Sequence, residues 1–487
     1  MFFNSLNFAL FFPVVYCLYW FVTNRNLKTQ NILLLLASYF FYACWDYRFL
    51  FLLIFSTLLD YFTGIKMAES KTKPEKSRWF WISVVVNLGF LGVFKYYDFF
   101  ITSFAESLNL LGFKANVITL NFILPVGISF YTFHGLSYVI DIYKDRIKPE
   151  RNFIDYSVFV SFFPLLVAGP IERATHLLPQ ILKPRQFDKA KSVDGLRQIL
   201  WGLFKKVVIA DNCATYANLI FNNCSDYSGA TLFLGGVFFA IQIYCDFSGY
   251  SDIALGTARL LGIELLQNFS FPYFSRDIAE FWRRWHISLS SWFRDYLYIP
   301  LGGSKGGTLM KVRNTFIIFI VSGFWHGANW TFLVWGALNA VYFLPLLLRG
   351  SNRENLEIVA KGRIFPSIRE FIEMTVTFAL TVLAWIFFRS ETIHQATAYI
   401  VEMASGLLSK ATYIQCLNLC YWEIDHKLLL LIVIFFAIEW LGREGRFALA
   451  NFGNFANKPL RWMFYLVLIL LIFIFSGSEQ QFIYFQF

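Results

Sequence analysis

The chain has 487 residues, of which 57% are hydrophobic, 20% aromatic and only 15% charged. Soluble domains carry about 25% charged and about 45–50% apolar residues, so the composition excludes an ordinary soluble protein and indicates a membrane protein. The net charge of +10 reads as basic cytoplasmic loops, and nucleic-acid binding is excluded because no motif of the known nucleic-acid modules accompanies it.

The first stretch, MFFNSLNFALFFPVVYCLYW, lacks a basic leading segment and a small-residue cleavage site. It reads as a retained transmembrane helix and not a cleaved signal. A spanning helix needs about 20 mainly apolar residues. Such stretches lie near 6–22, 30–45, 49–65, 79–97, 118–142, 154–170, 199–221, 230–247, 314–333, 334–348, 371–388, 428–441 and 460–475. They predict an all-α, polytopic membrane protein with about 11–13 membrane-embedded helices. FFPLLVAGP at 162–170, broken by proline and glycine, is expected to be re-entrant, because non-helical backbone at membrane depth needs protein or water around it.

The loops at 66–78, 144–151, 183–197 and 273–313 each carry more Lys and Arg than Asp and Glu, which places them on the cytoplasmic side and the N-terminus outside. No repeat or linker divides the chain, so one membrane domain over 1–487 is expected, with a more variable part after about residue 350. The seven cysteines include no C-x-x-C pair. They read as core thiols, with no disulfide framework and no metal site.

Candidate chemistry clusters between 244 and 335. In YCDFSGYSD, Asp246 and Asp252 sit beside an apolar run. Carboxylates in a membrane are costly unless paired, and the arginines of 276–294 are the expected partners. Residues 273–313 read as an aromatic, basic, amphipathic helix lying in the interface plane, with Trp282, Trp285, His286 and Trp292 on one face. Its arginines and His286 are expected to line a polar entrance. LGGSKGG at 301–307 lacks the spacing of a phosphate loop and reads as a flexible turn. His326, in FWHGANW, follows an apolar run and is surrounded by small residues. Histidine is the commonest general acid or base, yet spacing alone leaves His326 open between catalysis and a hydrogen-bonded core role. His134, in SFYTFHGLSYVID, is a secondary candidate of the same kind.

The motifs LPVGISFYTFHGLSYVIDIY, AGPI, YCDFSGYSDIALG, PYFSRDIAEFWRRWHISLSSWFRDYLYIPLGG and GFWHGANWTFLVWG, in this order, resemble the membrane-bound O-acyltransferase family. The resemblance is strongest to its bacterial branch of alginate O-acetylases, peptidoglycan O-acetyltransferases and teichoic-acid D-alanyl transfer proteins. It covers roughly 1–350 and is densest over 244–335; beyond that only hydropathy supports it. The resemblance implies helices around a central funnel or tunnel, with His326 catalytic and His286 near the reaction path. It implies acyl transfer from a cytoplasmic donor, acetyl-CoA, as a substrate and not a bound cofactor. Trp325, Asn329 and Trp330 are candidates to position the acyl group or bind the oxyanion. Arg283, Arg284 and Arg294 are candidates to attract donor phosphates, and Asp246 is a further candidate binding residue. The implied setting is the bilayer of the bacterial inner membrane, with a periplasmic O-acetyltransferase partner that completes modification of a cell-envelope polysaccharide. D-alanyl transfer and a transporter without catalysis are the competing readings.

Overall fold

The computed structural model describes residues 1–114, 117–455, 457–476, 480, 482 and 483. These residues are helical or irregular, without strands. They form two compact units, 1–192 with 257–266, and 193–256 with 267–487. Five helices are long and apolar enough to cross a membrane, and many large apolar side chains face outward, as lipid contact requires.

In the first unit, α1 (Leu6–Cys17) starts on Ser5, whose hydroxyl accepts from the backbone N–H of Phe8. α2 (Leu27–Glu69) joins two of the expected spans into one helical element, interrupted where Asp46 turns extended. The Asp46 carboxylate accepts from the N–H of Arg48 at 2.9 Å and so recaps the helix beyond the kink. α3 (Lys73–Leu91) leads through a π turn into α4 (Tyr97–Leu110). Residues 118–127, expected to be helical, are not. Pro125 lacks a backbone donor, and Gly127 is left-handed at φ 75°. α5 (Ile128–Tyr143) therefore starts later. α6 (Phe153–Ser161), α7 (Phe163–Leu166) and α8 (Ala174–Ile181) follow. The broken, buried path of 162–173 agrees with the expected interruption there.

The carboxylate of Asp60, buried in this unit, is paired, as the cost of leaving it bare demands. Asp60 accepts from Ser83 Oγ at 2.6 Å and Asn87 Nδ2 at 2.8 Å. A Cβ on Gly135 would lie 2.0 Å from Asp60 Oδ2, so α5 meets α2 here only through a glycine.

The second unit holds α9 (Lys189–Leu203) after its first turn, a π turn over Phe204–Ala210, α10 (Asp211–Asn222) and most of α11 (Ala230–Leu260). It continues with α12 (Ile278–Arg284), α13 (Ile287–Phe293), α14 (Thr308–His326), α15 (Trp330–Arg349) and α16 (Ile368–Arg389). α17 (Ile393–Gly406), α18 (Lys410–Trp422), α19 (His426–Gly442), α20 (Phe452–Phe455) and α21 (Lys458–Ile474) complete it. α17 and α18 were not foreseen from hydropathy; polar residues dilute both.

The interfacial helix expected across 273–313 is instead broken into two short, largely buried helices, α12 and α13, a π turn over Arg294–Tyr298 and turns that lead into α14. His286 is left-handed, at φ 42° and ψ 54°, and breaks the helical register between α12 and α13. Trp285, His286, Leu289 and Trp292 are all buried, so the aromatic face packs into protein and not into the membrane interface. A column of tryptophans supports this core: Trp285 lies 5.0 Å from Trp385, which stacks on Trp335 at 5.6 Å. Such pairs add about 0.5–1.5 kcal/mol each beyond area burial.

Candidate active site

α14 and α15 form a tight hairpin. A Cβ on Gly323 would fall 2.2 Å from the Phe332 carbonyl oxygen, and one on Gly336 would fall 2.3 Å from that of Phe319. Only glycine permits backbones this close. α14 ends at His326 because Gly327 is extended, at φ −161°. The expected span 314–333 is thus cut at 327–329, and His326 stands at a helix end and not inside a helix. Asn329 starts α15, accepting from Thr331 N–H at 3.0 Å while its amide donates to the Glu391 carbonyl at 2.8 Å. In this state it is a capping residue. Trp330 is half-exposed.

His326 is buried within an aromatic shell. Its ring lies 4.8 Å from Trp325, 5.1 Å from Trp335 and 5.3 Å from Phe388, centroid to centroid. Trp325 also lies 6.0 Å from the His286 ring. The two candidate histidines, on different elements, are therefore brought to the same indole.

His286 is buried too. Its Nδ1 is 2.9 Å from Asn268 Oδ1, and Phe247 meets its ring edge-on at 4.7 Å. Non-glycine residues in the left-handed region cost roughly 1–3 kcal/mol when held there. The segment around Asn268 holds this one: Ile287 N–H donates to the Asn268 carbonyl at 2.8 Å, and Ser270 N–H to that of Arg284 at 3.0 Å.

A cavity of about 220 Å³ is lined by Trp282, Phe293, Arg294, Tyr298, Ser322 and Arg353, among others. Ser322 lies one helical turn before His326 on α14. Trp282 touches Trp335 at 5.7 Å, and Trp335 touches His326. Trp282 thus stands between the cavity and the shell of His326. Ser322 is one of the small residues that surround His326 in the sequence and leave room for a substrate, and it lines the cavity; Arg353 was not foreseen, and nothing local flags it.

The three candidate arginines separate. Arg294 lines the cavity and is paired with Asp295 at 2.8 Å. Arg283 donates to the carbonyls of Asn352 and Asn355, both at 2.8 Å. Arg284 donates to Glu280, at 2.8 Å from its Nη2. These two hold the loop after α15 and the turns of α12 in place.

Asp246 does not pair with the 276–294 arginines as expected. Its partner is Lys206 at 2.7 Å, and Lys205 pairs with Asp252 at 2.6 Å. The reason is backbone approach: a Cβ on Gly202 would lie 2.6 Å from the Gly249 carbonyl, so α9 and α11 touch. The π turn after Leu203 then aims both lysines at α11. Asp246 Oδ2 also accepts from Ile483 N–H at 2.8 Å. The expected core thiols divide as well. Cys213 and Cys245 are buried, while Cys17 and Cys44 are exposed. His134 belongs to the first unit and is fully enclosed, its ring 6.0 Å from Phe159.

Residues 144–354 match the family model MBOAT, the membrane-bound O-acyltransferase family. A peptidoglycan O-acetyltransferase of Helicobacter pylori is 32% identical over all of this chain and 97% of its own length. A protein of Pseudomonas syringae pv. tomato named "Probable alginate O-acetylase" is 39% identical over 81% of this chain and 73% of its own. The chain belongs to the membrane-bound O-acyltransferase family. A teichoic acid D-alanyltransferase of Bacillus subtilis is a more distant relative, 29% identical over 45% of this chain. This membrane-bound O-acyltransferase is accordingly a polytopic helical enzyme that transfers acyl groups. The matched residues 144–354 contain both histidines, Trp325 and most of the cavity lining.

Proposed function

We propose that this enzyme carries an acetyl group from cytoplasmic acetyl-CoA across the inner membrane for O-acetylation of a cell-envelope polysaccharide, peptidoglycan or an alginate-like exopolysaccharide. The observation that carries this reading is the placement of His326: at a helix end, against Trp325, which also meets His286, with a cavity lined by Ser322 one turn earlier on the same helix. The full-length similarity to a peptidoglycan O-acetyltransferase supports the acetyl group and the envelope acceptor.

His326 acts as general base. It takes the proton of an acceptor hydroxyl as that oxygen attacks the thioester carbonyl. The tetrahedral intermediate collapses, the C–S bond breaks, and the proton passes to the departing thiolate. A base so placed contributes about 10²–10⁴-fold. The carbonyl end of α14 favours the transient imidazolium, by about 0.3–1 kcal/mol in ordinary settings. The Trp325 indole N–H is a candidate oxyanion donor. The cavity is smaller than the roughly 300–1,000 Å³ typical of whole-ligand sites, which suits the acyl-bearing arm of a donor better than its nucleotide. Arg294 and Arg353 at its lining, in a basic stretch, suit donor phosphates on the cytoplasmic side. The polysaccharide is modified by a periplasmic O-acetyltransferase partner that receives the acetyl group.

The test uses membranes containing the full-length enzyme, supplied with radiolabelled acetyl-CoA. Label should leave acetyl-CoA with the wild type and not with His326→Ala at equal expression. Label transfer by His326→Ala would overturn the assignment, and transfer from a D-alanyl donor instead of acetyl-CoA would redirect it to D-alanylation.

A further inference from the structure

We infer that Asn268 is the positioning residue that fixes the tautomer of His286 and leaves its lone pair on Nε2. The inference rests on the acyl-transfer reading above and deepens it.

The backbone N–H of Ser288 can only donate, and it faces Asn268 Oδ1 at 3.4 Å. The atom it faces must therefore be the amide oxygen and not the amide nitrogen. Ser288 Oγ donates to the same oxygen at 2.9 Å. His286 Nδ1 lies 2.9 Å from that oxygen as well, and an amide oxygen cannot donate. Nδ1 therefore carries the hydrogen, and neutral His286 has its lone pair on Nε2.

The backbone makes this arrangement hard to escape. Asn268 and His286 are both about 1% exposed, so water does not compete for Nδ1. The Ile287 N–H bond to the Asn268 carbonyl at 2.8 Å ties the same two segments together by main chain. The left-handed conformation of His286 turns its ring back onto Asn268. Rings facing His286 include Phe247, Phe269 and Trp325, none of which titrates at neutral pH. Titratable neighbours along those elements are Asp246, paired with Lys206, and His326 beyond Trp325. An amide in this position holds the ring without the charge an aspartate would add.

The experiment measures acetyl transfer from acetyl-CoA against pH with the full chain in nanodiscs, for wild type, Asn268→Leu, Asn268→Asp and Ser288→Ala. Asn268→Leu removes the acceptor and should lower kcat by about 10²-fold with KM little changed, at the low end of what a placed acid–base group supplies. Asn268→Asp restores the acceptor and adds negative charge beside the ring. It should recover activity at high pH while moving the acidic limb of the pH–rate profile upward. Ser288→Ala should cost a few-fold only, and it reports on the site if Asn268→Leu does not fold. The inference is overturned if folded Asn268→Leu keeps wild-type kcat, or if Asn268→Asp leaves the profile unmoved. Failure of the acyl-transfer reading looks different: wild type itself would transfer no acetyl group, or His326→Ala would remain active.

Discussion

Two histidines of this chain are each followed by glycine in an apolar setting, His134 in the first unit and His326 in the second. The sequence presents them as near equivalents; the structure does not. His134 sits mid-helix in α5, fully enclosed, and Gly135 exists to admit the carboxylate of Asp60, whose Oδ2 would be 2.0 Å from a Cβ there. His326 ends α14, and Gly327 exists to admit the Phe332 ring, which would be 2.0 Å from a Cβ. The same dipeptide thus serves helix packing in one unit and helix termination beside a cavity in the other. A buried histidine becomes a candidate catalyst when a helix end and a shared contact with a second candidate histidine coincide at it.

The sharpest way to break this contrast is exchange at the histidines themselves. His326→Ala should lower transfer by about 10²–10⁴-fold, the span expected for a general base. His134→Asn should leave turnover per folded molecule within a few-fold while lowering the unfolding midpoint in detergent. Equal losses of turnover at both positions would erase the distinction.

The second contrast concerns the charges packed within the second unit. Lys206→Met leaves Asp246 buried without its lysine and should cost about 3–5 kcal/mol. Lys206→Met with Asp246→Leu removes both charges and should recover part of that, since Asp211, also 2.7 Å from Lys206, still loses its lysine; the readout is chemical or thermal denaturation in nanodiscs. Failure of the double variant to recover at all would show that the bond from Ile483 N–H to Asp246 or the Lys206–Asp211 pair, and not the Lys206–Asp246 pair, carries the stability.

The glycines give a smaller effect with opposite readouts. Gly135→Ala forces Asp60 aside and should destabilise by about 1–3 kcal/mol, with activity per folded molecule retained. Gly327→Ala displaces Phe332 from the shell beside His326 and should reduce turnover more than stability.

The smallest effect lies outside the spans. The hydrogen bond that His176 Nδ1 donates to the Glu172 carboxylate, 2.8 Å away, raises the pKa of His176 above the usual imidazole value. A raised folded pKa means the contribution is complete below the unfolded value, about 6.5, and is lost as pH rises through the folded value. His176→Ala should therefore flatten a slight decline in stability just above neutral pH, seen as a Tm difference between pH 6 and pH 8. His176 is more than a third exposed, so solvent screening keeps the effect small.

Much of the architecture was legible in hydropathy because lipid sorts side chains by apolarity alone. Helix class and most spans follow from runs of Leu, Ile, Phe and Val, and the kink at Asp46 left the two halves of α2 readable as separate stretches. Reading 273–313 as one interfacial helix failed because periodicity counts side chains along a regular helix, and His286 leaves that regularity by adopting a left-handed backbone. The partners of Asp246 were missed for a related reason. A carboxylate in apolar sequence announces that it needs a cation, but not which one; glycines on α9 and α11 decided in favour of Lys206 by letting two backbones touch.

By itself, then, the sequence determined that this is a many-helix membrane enzyme and, through its ordered motifs, which family it belongs to. Those are properties of local composition and of residues in a row. Only the tertiary structure decided which residues act together: that Trp325 faces both His286 and His326, that Arg283 and Arg284 hold a loop while Arg294 lines a cavity, and that Asn268 holds an imidazole eighteen positions away. Such pairings depend on where helices end and how closely they approach, which is set by packing between distant segments and is not encoded in any one of them.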